Sequence, residues 1–494
     1  MSKTFYDFFS ELNRIPRPSH HEERVADYLC RFAEEHHLRY RRDAQNCVVI
    51  EKPASPGCEN ADPVVILNHM DMVCVAKDGY LRNGYPFDPL NDEIRPYIET
   101  DENGVRWMKA EGTSLGADNG IGLAMALAIL ADDTLEHPAL EVLTTTNEED
   151  GMTGAEALDN TFIRGRKVVN LDSEAYDEIT VGAAGACLQV GSWKLNYAPL
   201  PSGYVARRIF IEGGLGGHSG VDINKGRCNA NKMMTSLFTE SFMSRNDLST
   251  FTDGLFICSL NGGTANASIA SWAEMVIAMP EGLLDEIEHA IKKVWNEILT
   301  ERFHDTDPHV HLGIEEADDK KYITNFSLPF WTIAHLPFGV EAMREDMPDT
   351  VKTSNNIGVI ATQDGVMTVS CHTRSFDMEE QRELSNHIRW MMENSGAEVK
   401  MLMDTGSWVE RSDSPLLALT CQTFRDVLGF EPKKVAMHFV LEAAYYVEKF
   451  PGIEMASIGP RIIEPHSTSE RVDLDTADNI WRVTVELLRR LGKC

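Results

Sequence analysis

The chain contains no C-x-x-C pair, and its ten cysteines are scattered from Cys30 to Cys494, which argues against a thiolate zinc site or a disulfide framework and leaves reduced, mostly buried thiols. No segment approaches the roughly 18 consecutive apolar residues that a membrane-spanning helix needs. Basic residues are scarce beside acidic ones, 46 against 77, and the resulting net charge of −31 repels nucleic acid and anionic membranes. Most of that acidity reads as a solvated surface. The glycine-rich run Gly213 to Gly220 has neither a phosphate-loop lysine nor dinucleotide spacing, so nucleotide binding is not expected. The opening residues Met1-Ser2-Lys3-Thr4-Phe5-Tyr6-Asp7 lack a basic segment followed by an apolar run, and cytoplasmic residence is the expectation. There is no low-complexity tract or extended repeat.

What is present is a large amount of core. With 494 residues, 43% of them hydrophobic, the chain should divide into at least two domains. Phe5, Phe8, Phe9, Leu12 and Ile15 have helical spacing, and Ser19 with Glu22 reads as a capping box ahead of Val25, Leu29 and Phe32 on a second helix. Strand patterns follow at 46–50, 64–68, 140–146 and 167–171, with a helix former at 121–130 between the second and third. This order predicts an α/β fold, a mixed sheet flanked by helices, with ligands gathering beyond the carboxyl ends of the strands. From about Gly185 the pattern changes, and 186–400 reads as an inserted α+β domain with one lobe or two similar ones. The α/β pattern then resumes: Ser414-Pro415 opens a helix, 433–437 and 454–458 read as strands, and 475–491 as a closing helix. Segments 1–185 and 401–494 are therefore expected to build one domain around the insertion.

The chemistry-bearing residues fall at predicted strand ends. His69 and Asp71 follow the apolar run Val64-Val65-Ile66-Leu67 and point to the same side of an extended strand, so that His69 can bind a metal while Asp71 takes its other ring N–H. Asp118, in Gly116-Ala117-Asp118-Asn119-Gly120, stands at the mouth of a helix and, taken alone, reads better as an N-cap than as a ligand. The adjacent pair Glu148-Glu149 is harder to explain without a cation, because neighbouring carboxylates repel. One can ligate while the other accepts a proton from an activated water. Asp172 ends another strand and His466 comes from a late loop, and each reads either as a ligand or as an ordinary surface residue. Histidine and carboxylate donors in this number suit two adjacent divalent metals, and the domain of 1–185 and 401–494 is read as the catalytic domain of a metal-dependent hydrolase. His218, in the glycine run, reads either as a surface histidine or as a group that polarises a substrate carbonyl. Arg374 reads either as a strand-end charge or as a binder of a substrate carboxylate.

The strings N-H-M-D-M-V, L-G-A-D-N-G-I-G, E-E-x-G-M-x-G-A, N-L-D-S-E, G-G-H-S-G and I-G-P-x-I-x-x-P-H-S, in this order across almost the whole chain, resemble the aminoacyl-histidine dipeptidases, which belong to the di-zinc carboxypeptidase, carnosinase and aminoacylase superfamily. The resemblance implies that His69 and Asp172 hold one metal, that Glu149 and His466 hold the other, and that Asp118 bridges them. It makes Asp71 the orienter of His69, Glu148 the general base, His218 an oxyanion-stabilising residue on a lid domain, and Arg374 a partner of the substrate carboxylate. The implied cofactors are two Zn2+, with Co2+ or Mn2+ able to substitute, and the implied substrate is a dipeptide of the Xaa-His type. A tripeptidase or N-acyl amino acid hydrolase on the same scaffold, or a non-catalytic peptide-binding homologue, is the alternative. Two strings depart from the family pattern. H-A-G-L-E-C-G becomes His438-Phe439-Val440-Leu441-Glu442-Ala443-Ala444, and the lid string N-G-G-T-x-R-N-A-I-P becomes Asn261-Gly262-Gly263-Thr264-Ala265-Asn266-Ala267-Ser268-Ile269-Ala270. Broadened selectivity is the expected consequence. The sequence leaves open whether two similar lobes in one lid replace the contact of a homodimer.

Overall fold

The computed structural model describes residues 3–243 and 254–493, and these form two compact units. The first comprises Met1–Gly182, Trp408–Ala436 and Glu442–Cys494, and the second Ala183–Ser407 and Met437–Leu441. Each is mixed α/β. Among the described residues no helix is long and apolar enough to cross a membrane, and the cysteines are free thiols, most of them buried. Cys494 lies outside the described residues.

The first unit is organised by a nine-stranded mixed sheet. Val64–His69 lies in its interior, every residue buried, which is why it reads as a continuous apolar run rather than an alternating one. It pairs in parallel with Leu140–Thr145 on one side and Lys167–Asn170 on the other, and Glu454–Ser457 extends the parallel set beyond Lys167–Asn170. The register places His69 opposite Thr145, Leu67 opposite Asn170, and Ser457 opposite Asn170. Four parallel strands therefore end on one edge, and the loops that leave them carry Asp71, Glu148-Glu149, Asp172 and, after the short strand Ile462–Ile463, His466. This is the carboxyl-end crevice of an open α/β sheet. Helix Ala117–Ala131 is buried almost all round and packs between Phe5–Leu12 and Val64–His69.

Two local expectations differ from what forms. Ser19 and Glu22 make no capping box: the helix runs Glu23–Glu35 with no side-chain cap, because Ser19 Oγ donates instead to Asp71 (2.8 Å) and Glu22 accepts from the backbone of Asn147 (2.8 Å). Asp118 is not an N-cap either. Gly116 holds that position, and Asp118 has non-helical backbone angles inside the first turn, with a cis bond to Asn119.

The second unit carries its own nine-stranded sheet. Along it run His311–Ala317, Tyr204–Glu212, Ala273–Pro280, Phe256–Gly262, Val351–Gln363, Val366–Ser375, Gly185–Lys194 and Glu398–Thr405, in that spatial order. Read inward from its own outer edge, each set of four shows the order fourth, first, third, second in chain sequence. Each set carries helices on its connections, among them Ala230–Met243, Leu284–Ile298 and Met378–Asn394. They join where Gly262 pairs with Ile360. Two similar halves thus share one continuous sheet instead of forming separate lobes. Glu398–Thr405 belongs here because it pairs with Gly185–Lys194 over seven registered positions, which carries the unit past residue 400.

Candidate metal and catalytic centre

The loops at the sheet edge bring six side chains into contact. His69 Nε2 lies 3.3 Å from Asp118 Oδ1 and 3.3 Å from Asp172 Oδ1, while His466 Nε2 lies 3.2 Å from Asp118 Oδ2 and 2.8 Å from Glu149 Oε2. The two oxygens of Asp118 therefore face two different sets of donors. Behind His69, its Nδ1 stands 3.3 Å from Asp71 Oδ1, and Asp71 also accepts from the backbone N–H groups of Glu148 (3.0 Å) and Glu149 (3.2 Å). One buried carboxylate thus orients a histidine and the paired glutamates together. Asn119 donates to Leu171 O (2.9 Å) and to Asp172, tying the helix mouth to the third strand end.

The electrostatics are those of crowded carboxylates. Burial, with Asp172, Glu442 and Glu149 close by, lifts Glu148 well above the ordinary carboxylate range against the pull of His69. Burial also raises Asp172 to about 6 and Glu442 to about 7. Asp118 is lowered despite its burial, because His466 and His69 both bond to it. Hydrogen bonds to Asp118 and Glu149 push His466 up to about 11. Two protonated histidines are what this cluster needs in the absence of another positive charge, and two cations would serve in their place. The donor set fits them: His69, Asp118 and Glu149 each offer a ligand atom within 4.8 Å of the others, Glu149 Oε1 is buried without a hydrogen-bond partner, and nitrogen and carboxylate donors without thiolate suit zinc and its neighbours.

His218 and Arg374 belong to the second unit and form a separate cluster. His218 Nδ1 accepts from the backbone N–H of Gly220 and of Val221, both at 3.2 Å, which places the ring proton on Nε2. Burial and Arg374 lower its pKa to about 4, so the ring is a neutral donor at pH 7. Arg374 is 3% exposed and, among the described residues, reaches only Ser219 Oγ (3.3 and 3.4 Å) and His372 Nδ1 (3.5 Å). Among the described residues it has no carboxylate partner. His438, held by Ser354 (2.7 Å), is lowered to about 3 by burial, Arg374 and His218, and His372 is lowered well below the ordinary value by burial, Arg374 and His218.

These three depressed histidines predict an acid-sensitive stability. A group whose folded pKa lies below its unfolded value of about 6.5 contributes stability that is complete above that value and is lost as pH falls toward the folded pKa. Urea midpoints should therefore decline between about pH 6.5 and pH 4, and His438→Gln should flatten the slope. An unchanged slope in the variant would remove His438 from this account.

A family model described as peptidase family M20/M25/M40 matches residues 65–490. The chain belongs to that family. It is 31% identical over 489 residues to the cytosol non-specific dipeptidase of Escherichia coli (strain K12), covering 98% of this chain and 97% of the relative. The crystal structure of the aminoacylhistidine dipeptidase from Vibrio alginolyticus superimposes with a TM-score of 0.86 at 32% identity, covering 98% of this chain and 96% of that one. A Staphylococcus aureus tripeptidase shares the fold, with a TM-score of 0.56 at 14% identity over 100% of this chain and 99% of its own.

Within this peptidase family member, sequence reasoning missed several polar groups beside the named residues. In the first unit these are Arg17, Ser19, Glu442 and Glu470, and in the second, beside His218 and Arg374, they are His372 and His438, all buried or half-buried. The available signals were Arg17-Pro18-Ser19 just before a predicted helix and Glu470 four residues after His466. Neither spacing specifies a partner.

Proposed function

We propose that the chain is a dipeptidase whose first unit holds two divalent metals, with Zn2+ as the native pair and Co2+ or Mn2+ able to substitute. The observation that carries the reading is Asp118, one oxygen of which faces His69 and Asp172 and the other His466 and Glu149. In this reading His69 and Asp172 would hold one metal, Glu149 and His466 the other, and Asp118 would serve both. Bound there, the pair would acidify a water and polarise the scissile carbonyl. Glu148 takes the water's proton and passes it to the leaving amine nitrogen, a role suited to a carboxylate with a raised pKa. Asp71 keeps His69 in its tautomer. His218 donates its Nε2 proton to the developing oxyanion, and Arg374 receives the carboxylate of the substrate. The second unit, drawn in the sequence as 186–400, is assigned the part of lid.

Reconstitution with zinc followed by elemental analysis should give two metals per chain, and the loaded protein should hydrolyse dipeptides in preference to tripeptides and N-acetyl amino acids. Fewer than one metal per chain, or no turnover of any dipeptide, would overturn the reading.

Selectivity should be broad. Phe439 stands edge-on to the His218 ring at 5.6 Å between centroids, and the altered lid string lies against the same cluster, with Ser219 N–H donating to Ala267 O at 2.8 Å. Side chains that replace polar recognition groups relax discrimination. Alanyl-histidine and alanyl-leucine should therefore differ in kcat/KM by less than about 100-fold, or 2.7 kcal/mol. A larger preference for the histidine dipeptide would mean that the ring is read elsewhere.

A further inference from the structure

The loop that carries Asp118 is held from two sides by buried charges that are not themselves among the ligands. Arg17, 1% exposed, donates from Nη1 to Met70 O (3.1 Å) and Asp71 O (3.0 Å), and from Nη2 to Gly116 O (2.7 Å). Glu470, 3% exposed, accepts on Oε2 from the backbone N–H groups of Leu115 (2.7 Å) and Gly116 (2.9 Å), and on Oε1 from those of Ala117 (2.7 Å) and Asp118 (3.4 Å). Among the described residues neither forms an ion pair, so both are spent on backbone. A charge so buried persists only where hydrogen bonds satisfy it.

Gly116 is the node of this arrangement, since its N–H goes to Glu470 and its carbonyl to Arg17. Its φ of +67° is left-handed, and a Cβ there would stand 2.5 Å from Met72 Sδ and 2.6 Å from Arg17 Nη2. A Cβ on Gly120 would stand 2.5 Å from the same Nη2. The glycines of Gly116-Ala117-Asp118-Asn119-Gly120 thus make room for the guanidinium. Arg17 ties this loop to the His69-Met70-Asp71 segment, and Glu470 ties it to the segment that carries His466.

We propose that Arg17 and Glu470 are positioning residues that fix the spacing between the two halves of the metal centre, Arg17 referring Asp118 to His69 and Glu470 referring it to His466. This rests on the reading of Asp118 as the bridge. Both charges are needed because Arg17 holds a carbonyl of the loop, that of Gly116, while Glu470 holds the N–H groups of the same loop. Neither touches substrate.

The test begins with wild-type protein titrated with Zn2+ against a competing chelator, which must show two sites; a single site or none would overturn the bridge and this proposal together. Glu470→Gln, which replaces one acceptor oxygen by an N–H donor, should then weaken the second zinc at least tenfold and lower kcat at least tenfold, with KM for a dipeptide changed less than threefold. In the cobalt-loaded protein the spin coupling between the two ions should weaken. Arg17→Lys, which keeps the charge but loses the fork, should do the same, and it carries the test if Glu470→Gln does not fold. A residue that only supports the fold would move the melting temperature and leave the affinities alone. Folded variants with both zinc affinities, spin coupling and kcat within twofold of wild type would overturn the proposal.

Discussion

Glu148→Ala should lower kcat by about 10³-fold or more while leaving two metals bound, whereas Glu149→Ala and His466→Ala should lose metal together with activity. The two glutamates are adjacent in sequence and share the same anchor, each donating its N–H to Asp71. Their carboxylates nevertheless part company. Glu149 meets His466 at 2.8 Å, while the Glu148 carboxylate has no hydrogen-bond donor among the described residues and is pushed up in pKa by burial and by the acids around it. An acceptor with a raised pKa and no fixed partner is suited to collecting and returning a proton. A ligand has to be held, as Glu149 is. Metal content by elemental analysis beside steady-state kinetics separates the two roles. Equal metal loss in Glu148→Ala and Glu149→Ala would show that both carboxylates ligate and that the proton acceptor lies elsewhere.

The parts of this centre that were legible in the sequence are those with a local signature. Val64 to Leu67 announces a strand buried on both faces, and His69 and Asp71 follow directly, so the strand end and its two polar residues could be placed together. Glu148-Glu149 was conspicuous because adjacent carboxylates at a strand end carry an electrostatic cost that a cation relieves. His466 could be offered as a loop histidine among the candidate donors, but its place in the ligand set came only through the resemblance, since its approach depends on Glu454–Ser457 pairing in parallel with Lys167–Asn170, a contact between segments almost 300 residues apart. Local reading failed where a side chain had two uses. Ser19 and Glu22 have the spacing of a capping box, but tertiary partners outbid the helix: Asp71 takes the hydroxyl, and Asn147 N–H takes the carboxylate. Arg17 and Glu470 were invisible for the same reason. Their partners are backbone groups of a loop far away in sequence, and backbone has no letter in the sequence.

Arg374→Met should reduce kcat/KM for dipeptides on the order of 10²-fold, about 3 kcal/mol, mostly through KM. The side chain is nearly inaccessible, and its guanidinium meets a serine hydroxyl and a histidine nitrogen at 3.3 to 3.5 Å rather than a carboxylate. Burial lowers its pKa to about 10, which still leaves it charged at pH 7. His218, His372 and His438 stay neutral around it because burial, and then the positive charge of Arg374, disfavour their charged forms. Among the described residues the guanidinium has no carboxylate partner, and in the proposed reading the carboxylate of a substrate would supply that anion in a bidentate pair. Methionine approximates the length of the side chain and removes the charge, so the loss should follow the substrate's own charge. A dipeptide whose carboxyl terminus is an amide should already be poor for the wild-type protein and should fall less than about threefold further in the variant, since no ion pair is there to lose. Comparing kcat/KM for the free acid and the amide in both proteins gives the coupling directly. If Arg374→Met depressed both substrates equally, the guanidinium would be supporting His218 and its loop instead of reading a carboxylate.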